Sequence, residues 1–124
     1  GKGTVNSQSG ALRGLPYSFA TRFEGLSGTN PEEMIAAAHA SCFSMALAGA
    51  LEAAGLSPRS VETTAEVTLE KQEAGFTITR SHLVTAIEAD GAKDAILAEA
   101  DKAKATCPIS RLLRAEITLE ARVL

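Results

Sequence analysis

Between Met34 and Leu51 the chain runs for 18 residues without an Asp, Glu, Lys or Arg. That length just reaches the threshold for crossing a bilayer. Seven of the residues are alanine, His39, Ser41 and Ser44 add polar atoms, and neither basic flanks nor an aromatic belt accompanies them. The run therefore reads as the buried helix of a soluble protein rather than a membrane span. Its ends are punctuated. Asn30 suits the N-cap, Pro31 the first helical position, and Glu32 and Glu33 the positive end of the dipole. Gly55 ends the helix and Pro58 prevents its resumption. The spacing thus predicts one long helix over 31–54 with Cys42 near its centre.

Around this helix the pattern changes period. Residues 1–15 are rich in Gly and Ser and poorly patterned. "LPYSFATRFEG" alternates Tyr17, Phe19, Thr21 and Phe23 against Ser18, Ala20, Arg22 and Glu24, which predicts a strand with Arg22 facing away from the aromatics. Residues 61–70 alternate cleanly, with Val61, Thr63, Ala65, Val67 and Leu69 on one face. After the turn "KQEAG", residues 76–87 form a second strand whose apolar phase slips between Arg80 and Leu83, the mark of a bulge or a change of neighbours. A helix follows over 92–105, with a neutral stripe of Ala92, Ala95, Ile96, Ala100 and Ala103. Cys107-Pro108 breaks it, "PISRLL" makes a short helical turn, and 115–123 is the last strand. The order β–α–β–β–α–(α)–β is that of an α+β domain, and 124 residues fit a single one.

With five aromatic side chains, four Phe and one Tyr, the core must be built largely of small residues. A net charge of −3 without a Lys/Arg cluster argues against nucleic acid or an anionic membrane as partner. No signal peptide is discernible, which points to the cytoplasm.

The two cysteines, Cys42 and Cys107, are 65 residues apart and do not form the framework of a secreted mini-protein. Two unrelated buried thiols are the plain reading. The helical neighbours of Cys42 are Ala38, His39, Met45, Ala46 and Gly49, a mostly small face. Such an apolar surrounding resists ionisation of a thiol unless a cation compensates, and Arg22 is the candidate cation. On its own Arg22 reads as a surface residue, and only the thiol singles it out. Cys107 lies at the N-cap of a short helix, where backbone N–H groups stabilise a thiolate. Local chemistry alone therefore makes Cys107 the more acidic thiol of the pair. His39, one turn before Cys42, reads as a buried, hydrogen-bonded histidine in preference to a catalytic base. A zinc site would need both thiols, His39 and a fourth ligand, and no CxxC or HxxxH spacing supports one.

"RFEGLSGTNPEEMIAAAHASCFSMALAGAL", "GFTIT" and "KAKATCPISRLLRAEITLEA" resemble the OsmC/Ohr superfamily, and within it the OsmC (osmotically inducible protein C) branch. The likeness covers nearly the whole chain in order. It departs at the start, where the family's opening segment and edge strand before "GKGTV" have no counterpart. The resemblance implies an OsmC-like antiparallel sheet with a long central helix, in an intertwined homodimer whose active sites lie at the subunit interface. It implies a thiol-dependent peroxidase for organic hydroperoxides, needing no metal, haem or flavin but an external dithiol, small or protein-bound. It places the peroxidatic cysteine on Cys42, the resolving cysteine on Cys107, an arginine on Arg22 and a glutamate on Glu32. Here it outweighs local chemistry in choosing Cys42 as attacker.

Under this reading the thiolate of Cys42 attacks the peroxide and becomes a sulfenic acid, which Cys107 converts to a disulfide. Ten residues of helix separate Glu32 from Cys42 by about 15 Å, so Glu32 acts through Arg22 or across the dimer. The rival readings are a redox sensor, in which the disulfide itself is the signal, and a non-catalytic dimeric stress protein.

Overall fold

The computed structural model describes residues 1–25 and 27–124, and by internal contacts the chain forms two compact units, residues 1–34 and 35–124. In the first unit, β1 (Lys2–Val5) and β2 (Leu15–Ser18) pair antiparallel, with Gly3 opposite Tyr17. Gly3 leaves room for the Tyr17 ring, since a Cβ there would stand 2.6 Å from the phenol oxygen. β1 falls in a stretch too weakly patterned to announce a strand. The strand predicted for "LPYSFATRFEG" stops at Ser18 and gives way to a short helix, α1 (Phe19–Phe23). Ser18 and Thr21 form a reciprocal capping box: the Ser18 hydroxyl accepts from the Thr21 N–H at 3.1 Å, and the Ser18 N–H donates to Thr21 Oγ1 at 2.6 Å. This local pairing overrides the period-2 pattern and sets Arg22 on a helix. Gly28 closes the segment at φ +144°, where a Cβ would meet Pro16 O and Thr21 Cγ2 at 2.7 Å.

The long helix α2 (Pro31–Ala53) begins as expected, with Asn30 Oδ1 accepting from the Glu33 N–H at 2.8 Å. It ends in a Schellman motif. The Gly55 N–H bonds Glu52 O at 3.0 Å, the Leu56 N–H bonds Leu51 O at 2.9 Å, and Gly55 takes φ +75°. By length and composition α2 could cross a membrane, its apolar window having a mean hydropathy of 1.6. Yet it is two-faced. His39, Phe43, Leu47 and Leu51, spaced one turn apart, are buried, whereas Ala38, Ser41, Met45 and Gly49 are exposed.

The second unit is a three-stranded sheet in the order β3 (Pro58–Gln72), β4 (Gly75–Ala89), β5 (Glu116–Val123). β3 and β4 form an antiparallel hairpin across Glu73-Ala74. The predicted slip in β4 is a bulge at Thr79, between the pairs Thr68–Arg80 and Leu69–Ile78, just ahead of the stretch in which it was expected. The sheet is not wholly antiparallel: β5 runs parallel to β4. The chain between them passes through α3 (Lys93–Thr106) and α4 (Pro108–Leu112) and returns to the same end of the sheet, which a parallel pair requires. Of the predicted α3 stripe, Ile96, Ala100 and Ala103 are buried, while Ala92 and Ala95 stay exposed. They join Phe43, Leu47, Leu51, Leu83, Ile87 and Cys107 in one apolar core. Each buried large side chain there contributes roughly 1.5–3 kcal/mol.

Candidate active site

The two thiols meet in the second unit. Cys42 lies on α2 at the border between its buried and exposed stripes and packs against the core, half-buried. Cys107 is fully buried at the junction of α3 and α4. It caps α4 as expected, with Sγ accepting from the Ser110 N–H at 3.4 Å. Both cysteines are free, and Cys107 lies near enough to Cys42 to influence its ionisation. Burial pushes the Cys42 thiol up from its ordinary pKa, a backbone hydrogen bond from Ile109 pulls the other way, and the adjoining Cys107 raises it again. Of these influences only the backbone contact favours the thiolate of Cys42.

Behind Cys107 stands a polar chain that sequence reading did not anticipate. His39 is completely buried, as expected of a structural histidine. Its Nδ1 lies 2.6 Å from Ser81 Oγ and its Nε2 lies 2.8 Å from Ser110 Oγ. Ser110 Oγ in turn lies 3.3 Å from Cys107 Sγ. Burial lowers the His39 pKa, so the imidazole is neutral at physiological pH. Ser81 and Ser110 carry no local signal. Ser81 stands between Arg80 and His82 and Ser110 beside Arg111, and their common partner His39 is 42 and 71 residues away along the chain.

In the first unit the structure joins the other two predicted site residues. Arg22 and Glu32 form a bidentate ion pair, Nε to Oε1 at 2.7 Å and Nη2 to Oε2 at 3.1 Å. The Glu32 side chain is the more enclosed, 12% exposed against 35% for Arg22. The guanidinium also lies 5.7 Å over the Phe23 ring, whose centroid is 5.0 Å from that of Phe19. Beside it opens a cleft of about 410 Å³, lined by Tyr17, Phe19, Arg22 and Pro31 among others. The cleft offers an apolar wall with the cations of Arg22 and Lys2 at its lining, which suits a ligand with an apolar body and an electron-rich end. Among the described residues no cluster of three His, Cys, Asp or Glu side chains is placed to hold a metal ion.

The sequence profile of the OsmC-like protein family matches residues 24–122. Peroxiredoxin OsmC of Escherichia coli K12 is 53% identical over 97% of this chain and 85% of its own length. Among solved structures, an organic hydroperoxide resistance protein OsmC from Legionella pneumophila superposes with a TM-score of 0.72 at 26% identity, covering 95% of this chain and 85% of that one. An organic hydroperoxide resistance protein from Elizabethkingia anophelis gives 0.74 at 26% identity over 95% and 84%. On the matched profile, the shared fold and the 53% identity over nearly its full length, the chain belongs to the OsmC family.

Proposed function

We propose that the protein is a thiol-dependent peroxidase that reduces organic hydroperoxides to alcohols. The observation that carries this reading is the pair of free, neighbouring thiols, one half-buried and one fully buried, brought into the same core from α2 and the α3–α4 junction. Kinship with a peroxiredoxin and with organic hydroperoxide resistance proteins supports it. The Cys42 thiolate attacks the terminal peroxide oxygen, the O–O bond breaks, and the alkoxide leaves as the alcohol after taking a proton. Cys42 is then a sulfenic acid. Cys107 displaces its oxygen as water to give a disulfide, and an external dithiol returns both residues to thiols. No metal, haem or flavin enters this cycle.

Burial makes Cys42 hard to ionise, so a cation must offset that cost. We assign the role to Arg22, with Glu32 fixing the plane of its guanidinium by the bidentate contact. A homodimer completes the reading. The exposed stripe of α2 is uncharged, Met45 is 76% exposed, and the Ser41 hydroxyl is turned back onto Ala37 O and Ala38 O, so the face presents small apolar surface to a second copy.

A coupled assay with cumene hydroperoxide and dithiothreitol tests the activity. Many turnovers per subunit are expected. One equivalent consumed would identify a redox sensor instead, and none would leave a structural protein. Cys42→Ser should consume no peroxide, while Cys107→Ser should accumulate a dimedone-trappable sulfenic acid. Labelling of Cys107 rather than Cys42 in the wild type would reverse the assignment. A stable monomer in sedimentation at micromolar concentration would remove the dimer.

A further inference from the structure

We infer that Ser110 and His39 form a proton relay for Cys107, in which Ser110 touches the reacting sulfur and His39 holds the proton as a positioning residue. The inference rests on the peroxidase reading and extends it to the disulfide-forming step. Geometry carries it: a continuous chain runs from Cys107 Sγ to Ser110 Oγ at 3.3 Å, to His39 Nε2 at 2.8 Å, and from Nδ1 to Ser81 Oγ at 2.6 Å. A second hydroxyl ladder in the same unit makes the contrast. Ser44, Thr63 and Thr85 are linked at 2.7 and 3.0 Å and end on no titratable group, so they serve packing alone. The His39 chain ends on a thiol that the reaction must deprotonate.

The directions of the bonds are consistent in both states. At rest the Cys107 S–H donates to Ser110 Oγ, the Ser110 O–H donates to Nε2, and the Nδ1–H donates to Ser81 Oγ. As Cys107 attacks the sulfenic acid, its proton passes to Ser110 while the Ser110 proton passes to Nε2. The S–S bond forms, the S–O bond of Cys42 breaks, and hydroxide leaves as water with a proton from solvent. One proton then rests on the imidazolium, which now donates to Ser110 and to Ser81. When the dithiol reduces the disulfide, Cys107 departs as a thiolate and takes that proton back along the same path. Net, a sulfenic acid and a thiol give a disulfide and water.

The surroundings suit a neutral base. Among the described residues His39 is the one buried ionisable side chain besides Cys107. Arg80 and Arg111, the chain neighbours of Ser81 and Ser110, are exposed, and His82 on the opposite face of β4 bonds Thr118. Cys42, one turn along α2, is the remaining titratable neighbour. No carboxylate lies in the chain to hold the imidazole protonated, so it is free to accept a proton above its lowered pKa.

The test separates the two chemical steps by rapid mixing of the reduced protein with cumene hydroperoxide. Sulfenic acid at Cys42 and the disulfide are quantified at intervals from about pH 5 to about pH 8, a range that brackets imidazole titration. In the wild type the rate of disulfide formation should be level over the upper part of this range and fall in acid as His39 protonates. Ser110→Ala and His39→Gln should slow that step by roughly 10²-fold, the lower end of what a positioned base supplies. Their residual rate should lose the acid limb set by His39 and depend instead on hydroxide as the base. Ser110→Thr, which keeps a hydroxyl, should restore both rate and profile. Normal sulfenic acid formation with unchanged disulfide kinetics in Ser110→Ala would overturn the relay alone, as would lost stability with the wild-type pH profile. No sulfenic acid at Cys42 in the wild type would overturn the relay together with the peroxidase reading.

Discussion

Residues 1–34 and residues 35–124 handle polarity in opposite ways. The first unit keeps its working charges in an ion pair, Arg22 with Glu32, on short elements with Phe19 and Phe23 left largely exposed. The second admits no charged side chain to its interior, only hydroxyls, one imidazole and a thiol. A thiol in an apolar core is protected from water but resists ionisation, and a guanidinium at a surface costs little to keep charged. The division teaches that stability and reactivity can be assigned to different stretches of chain, and substitutions should separate them.

The largest expected effect is on stability. Leu47→Ala removes a fully buried side chain from the core and should cost about 2–5 kcal/mol in urea unfolding, because the cavity cannot fully collapse. A loss below about 1 kcal/mol would mean that the core of the second unit is looser than its burial indicates. Next comes Arg22→Ala, which should leave the unfolding midpoint near wild type and lower the rate constant with peroxide by roughly 10²-fold, the scale of one preorganised electrostatic contact. Alkylation of Cys42 in a Cys107→Ser background should then need higher pH, since burial already holds that thiol up and no cation remains to oppose it. Arg22→Lys should recover only part of the rate, as an ammonium lacks the planar fork. Unchanged rate and unchanged alkylation profile would make Arg22 a plain surface residue. The smallest effect is expected from Glu32→Gln, about tenfold in rate, because the amide still accepts one hydrogen bond but no longer fixes the fork bidentately. Its stability should shift by only about 1 kcal/mol, because the Arg22 side of the pair stays open to solvent. A larger stability loss than rate loss would blur the contrast between the units.

How much of this was legible in the sequence follows the range of the interactions involved. The bounds of α2 were readable because Asn30, Pro31 and Gly55 act within one turn. The alternation of β3 was readable because neighbouring residues face opposite sides. Cys107 as the cap of α4 was readable from Cys107-Pro108 alone. The Ser18–Thr21 capping box was not, since four residues of alternation fit a strand and a short helix equally well. Nor was the direction of β5, which depends on where the helical crossover returns the chain. Of the candidate site, motif resemblance supplied four residues, and the structure joined them as two pairs. His39 was placed correctly as buried and bonded, but Ser81 and Ser110 lie too far along the chain for any spacing rule to connect them to it.

The parallel pairing of β4 with β5 sets an order of events during folding. β3 and β4 need only a two-residue turn to meet, whereas pairing His82 with Thr118 closes a loop of 36 residues. Loop closure becomes costlier by about 0.6 kcal/mol for each doubling, so the hairpin forms early and the crossover docks late. Cys107 travels with the crossover. A nascent chain in which Cys42 is already housed on its helix therefore has no partner thiol beside it until the last strand is in place. In pulse alkylation during refolding, Cys107 should lose its reactivity in the slowest phase. The chain acquires the means to cross-link itself only when there is a finished fold to be cross-linked.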